Sequence, residues 1–311
     1  MDGSPPPAAA IVDLVGPDHA PFVAALLERC TFADSTTLNC AVSGGPDSVA
    51  LLVLARASGA AVHAVHVDHG IRPDSAHDAD VVRAAAERFG ATWETSAVDI
   101  EPGPNLEARA RAARYGALPP DAATGHTADD QAETILLALL RGSAWDGLGG
   151  MPPSPRRPLL GLRRRDTHEL CDRLGLATVD DPTNADPAHR RNRVRRELLP
   201  LLDDIAERDM VEVLVRQAEL LRQGGALIDA EADELDPTDA KAIAAAPDSV
   251  ARSKMRRWLW DGTGWDHPPD LATVDRVLSV ARVESEATDV GRGWRVRRSE
   301  QRLHLEPPAA E

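Results

Sequence analysis

Lysine is nearly missing from this chain: Lys241 and Lys254 stand against 35 basic residues in all, a bias toward arginine that reads as composition rather than function. Cysteine is scarce too. Cys30, Cys40 and Cys171 lie far apart and make no C-x-x-C pair, which excludes a disulfide framework and argues against a cysteine-built zinc or iron–sulfur site. No apolar run approaches membrane-spanning length. The start, Met1-Asp2-Gly3-Ser4-Pro5-Pro6-Pro7, has no basic stretch ahead of an apolar one, so a secretory signal is not expected and a cytoplasmic location is. Neither the lysine-bearing phosphate loop (G-x-x-x-x-G-K before Ser or Thr) nor the dinucleotide fingerprint G-x-G-x-x-G occurs. There is no internal repeat. Positive charge is short as well: the formal net charge is −15, which argues against nucleic-acid binding by the surface as a whole.

What is present is unevenly spread. Basic residues bunch at Arg109, Arg111 and Arg114, at Arg156, Arg157 and Arg163 to Arg165, and from Arg190 to Arg196, while acids gather between Asp203 and Asp239. Such asymmetry permits a basic face on an acidic protein. Five arginines between Arg190 and Arg196 with no acid among them repel one another. Phosphate would relieve that repulsion; a solvated helix face is the plainer alternative.

The most informative stretch is Leu38-Asn39-Cys40-Ala41-Val42, then Ser43-Gly44-Gly45-Pro46-Asp47-Ser48, then Val49 to Leu54. It reads as an apolar strand, a glycine-rich turn and the start of a helix. Paired glycines let backbone curl around a bound group, and Pro46 suits a first helical position. Free N–H groups there, with the positive end of the helix dipole behind them, make an anion site. The turn is built to hold phosphate.

At 311 residues the chain has room for two unequal domains. Alternating Ala61 to Val67 predicts a second strand, Ala76 to Phe89 a helix, Thr92 to Val98 a third strand, and Asn105 to Leu118 a helix capped by Asn105. A very short strand at Ala122 to Gly125 precedes a helix from about Ala128 to Arg141. This alternation predicts an α/β fold, a mainly parallel sheet with helices on both faces. Ligands of such sheets bind beyond the carboxyl ends of the strands. A proline- and glycine-rich loop over Gly142 to Pro158, a helix around Asp166 to Gly175, and acidic helices from about Arg195 follow, with a hairpin of Gly293 to Arg298 against Gln301 to Leu305 at the end. The expected divisions are a flexible segment 1–20, a catalytic domain 21–210 and a smaller, mainly helical domain 211–311.

In Gly125-His126-Thr127-Ala128-Asp129-Asp130-Gln131-Ala132-Glu133-Thr134, Asp130 and Glu133 share one helix face. They could hold a metal or an ammonium group, or simply stabilise a helix start. Taken with Val67-Asp68-His69-Gly70-Ile71-Arg72, Asn105-Leu106-Glu107, Arg114-Tyr115, Arg141-Gly142-Ser143 and Asn192-Arg193-Val194-Arg195, the SGGPDS turn resembles the PP-loop of the N-type ATP pyrophosphatases. The whole set, over about residues 38–202, resembles the tRNA(Ile)-lysidine synthase family in its short form. The segment between Tyr115 and Gly125 is shorter than that family's usual helix and strand.

The resemblance implies a PP-loop sheet of the adenine nucleotide alpha hydrolase type and a ligase acting on tRNA(Ile) with a CAU anticodon. ATP adenylates the C2 oxygen of the wobble cytidine, diphosphate leaves, and the amine of free L-lysine displaces AMP. It implies Ser43, Gly44, Gly45, Pro46, Asp47 and Ser48 around ATP with Val67 and His69 bordering the adenosine, and Asp47 on Mg²⁺. It also implies Asp130, Glu133 and Arg114 for lysine and catalysis, and Arg190, Arg191, Arg193, Arg195 and Arg196 against tRNA. Two alternatives stand beside it: another PP-loop tRNA-modifying enzyme, such as a cytidine thiolase, and a non-catalytic nucleotide-sensing RNA-binding module.

Overall fold

The computed structural model describes residues 8–68, 75–98, 106–143, 145–180 and 186–308. Two compact units emerge, one of Met1–Arg141 with Gly150–Arg216, the other of Gly142–Gly149 with Gln217–Glu311. The division thus falls at Arg216 rather than at 210, and it assigns the short segment 142–149 to the second unit.

In the first unit, helices α1 (Ala8–Val15) and α2 (Ala20–Leu27) precede strand β1 (Thr37–Ala41), helix α3 (Pro46–Ala57), strand β2 (Ala61–Asp68), helix α4 (Ser75–Arg88), strand β3 (Thr92–Ala97) and helix α5 (Leu106–Ala117). The strands form a parallel sheet in the order β1-β2-β3, with Leu38 beside Val62 and Cys40 beside Ala64. Successive side chains of a strand point to opposite faces. On one face Leu38, Cys40, Val62 and Ala64 pack with α3 and α4 in the main core; on the other Ala41 and Val65 meet Leu118 and Ala122. The core runs through α3, whose residues from Val49 to Ala55 are all buried.

Two expectations shift. Residues 8–20 are not a flexible segment: the apolar stretch after the prolines forms α1, and Ile11 and Ala20 are buried in the main core. The short strand at 122–125 is a single bridge, Ala123 to Cys40, on the free edge of β1. Ala123 N–H donates to Asn39 O and Ala41 N–H to Ala123 O, each at 2.8 Å, so the brief Tyr115–Gly125 link still delivers the chain to the sheet. Asn105, expected as a cap, lies outside the described residues.

Helix α6 (Ala128–Leu140) follows, then α7 (Trp145–Leu148), which belongs to the second unit, and α8 (Arg164–Arg173). The basic run begins a helix at Arg190, earlier than expected: α9 (Arg190–Arg193) continues through a π turn at Val194–Leu198 into α10 (Leu199–Ala206) and then α11 (Met210–Asp233). In the second unit α12 (Ala240–Ala245), α13 (Asp248–Thr263) and α14 (Leu271–Ala281) pack on an antiparallel sheet of β4 (Ala287–Gly291), β5 (Trp294–Ser299) and β6 (Arg302–Glu306). Ile243, Met255, Leu259, Val277 and Val296 form its dry centre. The expected hairpin is β5–β6; β4 is an added strand that Ala287-Thr288-Asp289-Val290-Gly291 did not signal, having one buried apolar residue. Among the described residues no single helix is long and apolar enough to cross a membrane.

Candidate active site

The turn between β1 and α3 is held by its own hydroxyls. Ser48 Oγ donates to Gly45 O at 2.8 Å and accepts from Ser43 N–H at 3.1 Å, with Ser43 Oγ 3.2 Å away. Ser48 and Val49 N–H both turn back to Gly45 O. Among the described residues no protein acceptor takes the amides of Gly44, Gly45 or Asp47, so they remain at the helix start as donors for an anion. Gly44 has φ +90°, and a Cβ there would lie 2.8 Å from Val179 Cγ2. Its carbonyl accepts from Val179 N–H at 2.9 Å, which ties the turn to the chain beyond α8. Val67 stands next to last in β2, at the same carboxyl end of the sheet, and buried His66 Nδ1 sits 2.9 Å from Val42 O beneath the turn.

Gly125 brings the second motif to the first. A Cβ at Gly125 would come within 2.6 Å of Asp47 O, so the two backbones touch with no room for a side chain. Two residues on, Thr127 N–H and Oγ1 both bond Asp130 Oδ2, at 2.9 and 3.0 Å, fixing the start of α6. Asp130 and Glu133 then face a cluster of guanidinium groups. Arg164 reaches Asp130 Oδ1 at 3.1 Å and Glu133 Oε1 at 3.2 Å; Arg191 reaches them at 3.0 Å and, on Oε2, 2.6 Å; Arg195 Nε lies 2.7 Å from Glu133 Oε1. Arg164 Nε also lies 3.5 Å from Asp47 Oδ2, while Thr167 Oγ1 donates to Asp47 Oδ1.

Burial acts to raise the Asp130 carboxyl, but Arg164, Arg191 and the Thr127 amide outweigh it, and its pKa falls below the ordinary value. At Asp47 burial wins over the Thr167 hydroxyl and Arg164, and the pKa rises. Next to this cluster Asp129 accepts from Arg163 Nε at 3.0 Å and from the Arg164 amide at 2.7 Å, which seats the first turn of α8 on α6.

The arginine run divides between the carboxylate cluster and the surface. Arg191 and Arg195, four apart, share a face that the helix turns toward Asp130 and Glu133, and Arg193 pairs with Glu197 at 2.8 Å. Their repulsion is relieved by carboxylates of the protein itself, one pair of them some sixty residues away in sequence. Arg190 and Arg196 are exposed. Asp130 and Glu133 in turn present no open carboxylate surface: three guanidinium groups occupy the place expected for an ammonium ion, and Glu133 is 0 % exposed. His69 lies outside the described residues, and so does the side chain of Arg114. Arg164 and Thr167 were not singled out as site residues from sequence; Arg164 sat unremarked within a basic triplet, and nothing marks a lone threonine in a helix.

A magnesium ion takes oxygen ligands, often one or two carboxylates with phosphate oxygens and water supplying the rest. Asp47 offers one such carboxylate beside the free amides, and no group of three acidic, histidine or cysteine side chains suited to a metal stands among the described residues. The donor set fits a metal that arrives with a phosphate. The cysteines serve no such purpose. Burial pushes the thiols of Cys30, Cys40 and Cys171 up to about 12, which keeps them protonated at neutral pH and removes the nucleophile that thiolation by these residues would need.

The PP-loop domain family matches residues 21–202. A tRNA(Ile)-lysidine synthase from Nocardia farcinica is 41 % identical over 262 residues, covering 78 % of this chain and 81 % of its own length. The chain belongs to the tRNA(Ile)-lysidine synthase family. A lysidine synthase from Mycolicibacterium paratuberculosis is 42 % identical over 71 % of this chain and 74 % of its own. Among solved structures, a U34-tRNA thiolase from Methanococcus maripaludis superposes with a TM-score of 0.50 at 16 % identity, covering 69 % of this chain and 78 % of that one. That likeness is one of fold. The turn at Ser43–Ser48 falls within the matched PP-loop domain, and Gly125, just ahead of the helix bearing Asp130 and Glu133, lies directly against it.

Proposed function

We propose that this chain joins free L-lysine to C2 of the wobble cytidine, position 34, of tRNA(Ile) with a CAU anticodon, consuming ATP. The C2 oxygen attacks the α-phosphorus of ATP and diphosphate leaves; the lysine amine then attacks C2 and AMP leaves with that oxygen. The observation that carries this reading is the backbone contact of Gly125 with Asp47, which sets a phosphate-binding turn beside a carboxylate–arginine cluster.

In this reading the amides of Gly44, Gly45 and Asp47 hold the phosphates as negative charge develops on diphosphate. Asp47 would hold Mg²⁺, whose chemistry when bound is to neutralise phosphate charge. Val67 and His69 border the adenosine. Asp130 and Glu133 take the lysine ammonium by exchanging it for a guanidinium; Arg191, the most exposed of the three side chains, is the one to move aside. The freed guanidinium, or Arg114, would face the lysine carboxylate. Arg190 and Arg196 contact tRNA phosphates, and the anticodon base leaves its stack to reach ATP. All of this chemistry belongs in the cytoplasm, where tRNA, lysine and ATP meet.

Incubation with a CAU-anticodon tRNA(Ile) transcript, ATP and radiolabelled lysine tests the proposal. Lysine should enter the tRNA, with AMP and diphosphate as products, and Asp47→Asn should abolish turnover. ADP as the main product, or full activity in that variant, overturns it. Glu133→Gln should raise the lysine KM sharply while adenylated tRNA still forms; loss of nucleotide binding with lysine dependence untouched would move this carboxylate to the nucleotide side.

A further inference from the structure

Thr167 is 0 % exposed, on the face of α8 that packs against α3. Its neighbours on that face, Leu170 and Cys171, belong to the main core, and Cys171 Sγ lies 3.5 Å from Pro46 O. The hydroxyl is therefore carried to the PP-loop by a rigid support. It has one proton and two acceptors in reach: Asp47 Oδ1, and the Arg164 carbonyl at 2.8 Å one turn back on its own helix. A charged acceptor makes the stronger bond, so the proton goes to the carboxylate. Asp47 Oδ2 is then left for the Arg164 side, 3.5 Å away and looser than a hydrogen bond.

The two oxygens of Asp47 are thus unequal: one is tied to a buried hydroxyl, the other is weakly held and able to change partner. From this asymmetry we propose that Thr167 is a positioning residue for the nucleotide half-reaction, holding Oδ1 so that Oδ2 of Asp47 is the atom presented to the phosphate-bound cation. The proposal rests on the reading of the PP-loop as the ATP site. Thr167 touches no substrate in it; the residue acts through Asp47 alone. The alternative is a hydroxyl that only fills space and caps a local carbonyl, as buried threonines in helices do.

Thr167→Val keeps the shape and removes the donor, and Thr167→Ser keeps the donor. With Mg²⁺ and α,β-methylene-ATP, whose α–β bridge cannot be cleaved, calorimetry reads binding without turnover. Thr167→Val should weaken that binding about tenfold, the size expected for removing a hydrogen bond to a charged group. It should raise the ATP KM and the Mg²⁺ requirement together while leaving the lysine KM within about twofold, and Thr167→Ser should restore binding. Wild-type affinity in Thr167→Val overturns the proposal. So does failure of Thr167→Ser to restore it, or a rise of the lysine KM in step with that for ATP, since either would mean a structural hydroxyl. A wild-type protein that binds the analogue yet forms no lysidine would sink the proposed reaction while leaving these binding comparisons to judge Thr167.

Discussion

In the first unit Arg164, Arg191 and Arg195 converge on Glu133, whose side chain is wholly buried, whereas in the second Arg297 meets Glu306 from β5 to β6 with half of its guanidinium side chain in water. Both are arginine–carboxylate pairs at hydrogen-bonding distance. Their surroundings differ. A carboxylate taken out of water must be stabilised by its partners, and removing one side of such an arrangement strands the other. An exposed pair gives up little water and gains little. A cluster that is costly to assemble and adds no net packing is what a site needs, and its position against the PP-loop agrees; the pair on the hairpin trims a surface.

The largest break in this comparison should come from Glu133→Gln. It leaves Asp130 as the one carboxylate shared by three guanidinium groups and should lower the unfolding free energy in urea by about 3–5 kcal/mol, as breaking a buried pair does. A loss under about 1 kcal/mol would put Glu133 in the same class as Glu306. A smaller effect belongs to acid. The Asp130 pKa is lowered in the folded protein, so its contribution is present above the pKa of the unfolded chain and lost as pH falls through the folded value. Urea stability should therefore drop below about pH 4, the unperturbed aspartate range, and Asp130→Asn should flatten that limb; an unchanged limb would assign the acid sensitivity elsewhere.

Removing Arg190 and Arg196 should leave stability within about 0.5 kcal/mol, as for other surface positions, but reduce the salt dependence of tRNA affinity by about one unit of slope for each phosphate no longer neutralised. An unchanged slope would return both to the solvated surface. The smallest effect is expected of Glu306→Gln, about 0.5 kcal/mol or less; a loss above about 1 kcal/mol would mean that the hairpin pair is structural after all.

Much of the first unit was legible because its signals are local. Alternating Ala61 to Val67, and the strand, turn and helix around SGGPDS, each report on their own few residues, and each became the element expected. The arginine run was not legible in that way. Charge density between Arg190 and Arg196 showed that partners were needed but not which ones, since Glu133 is 58 residues from Arg191 and 62 from Arg195. The triplet Arg163-Arg164-Arg165 shows the same limit: Arg163 binds Asp129, Arg164 reaches into the site, and the Arg165 side chain is 66 % exposed. Helix geometry gives consecutive residues different directions, and only the fold says what lies along each. At the start of the chain the apolar residues after the three prolines fold as α1, and Ile11 finds its place only in the core that distant elements build.

The contact between Gly125 and the Asp47 carbonyl has a thermodynamic meaning. Loops that close around a ligand lose their freedom at the moment of binding, and the affinity is reduced by that lost entropy. Here the two segments are already pressed backbone to backbone, so their ordering is part of folding and not of association. A ligand resting on this junction meets a surface whose shape is set by peptide geometry, with no side chain at the contact to compress or swing.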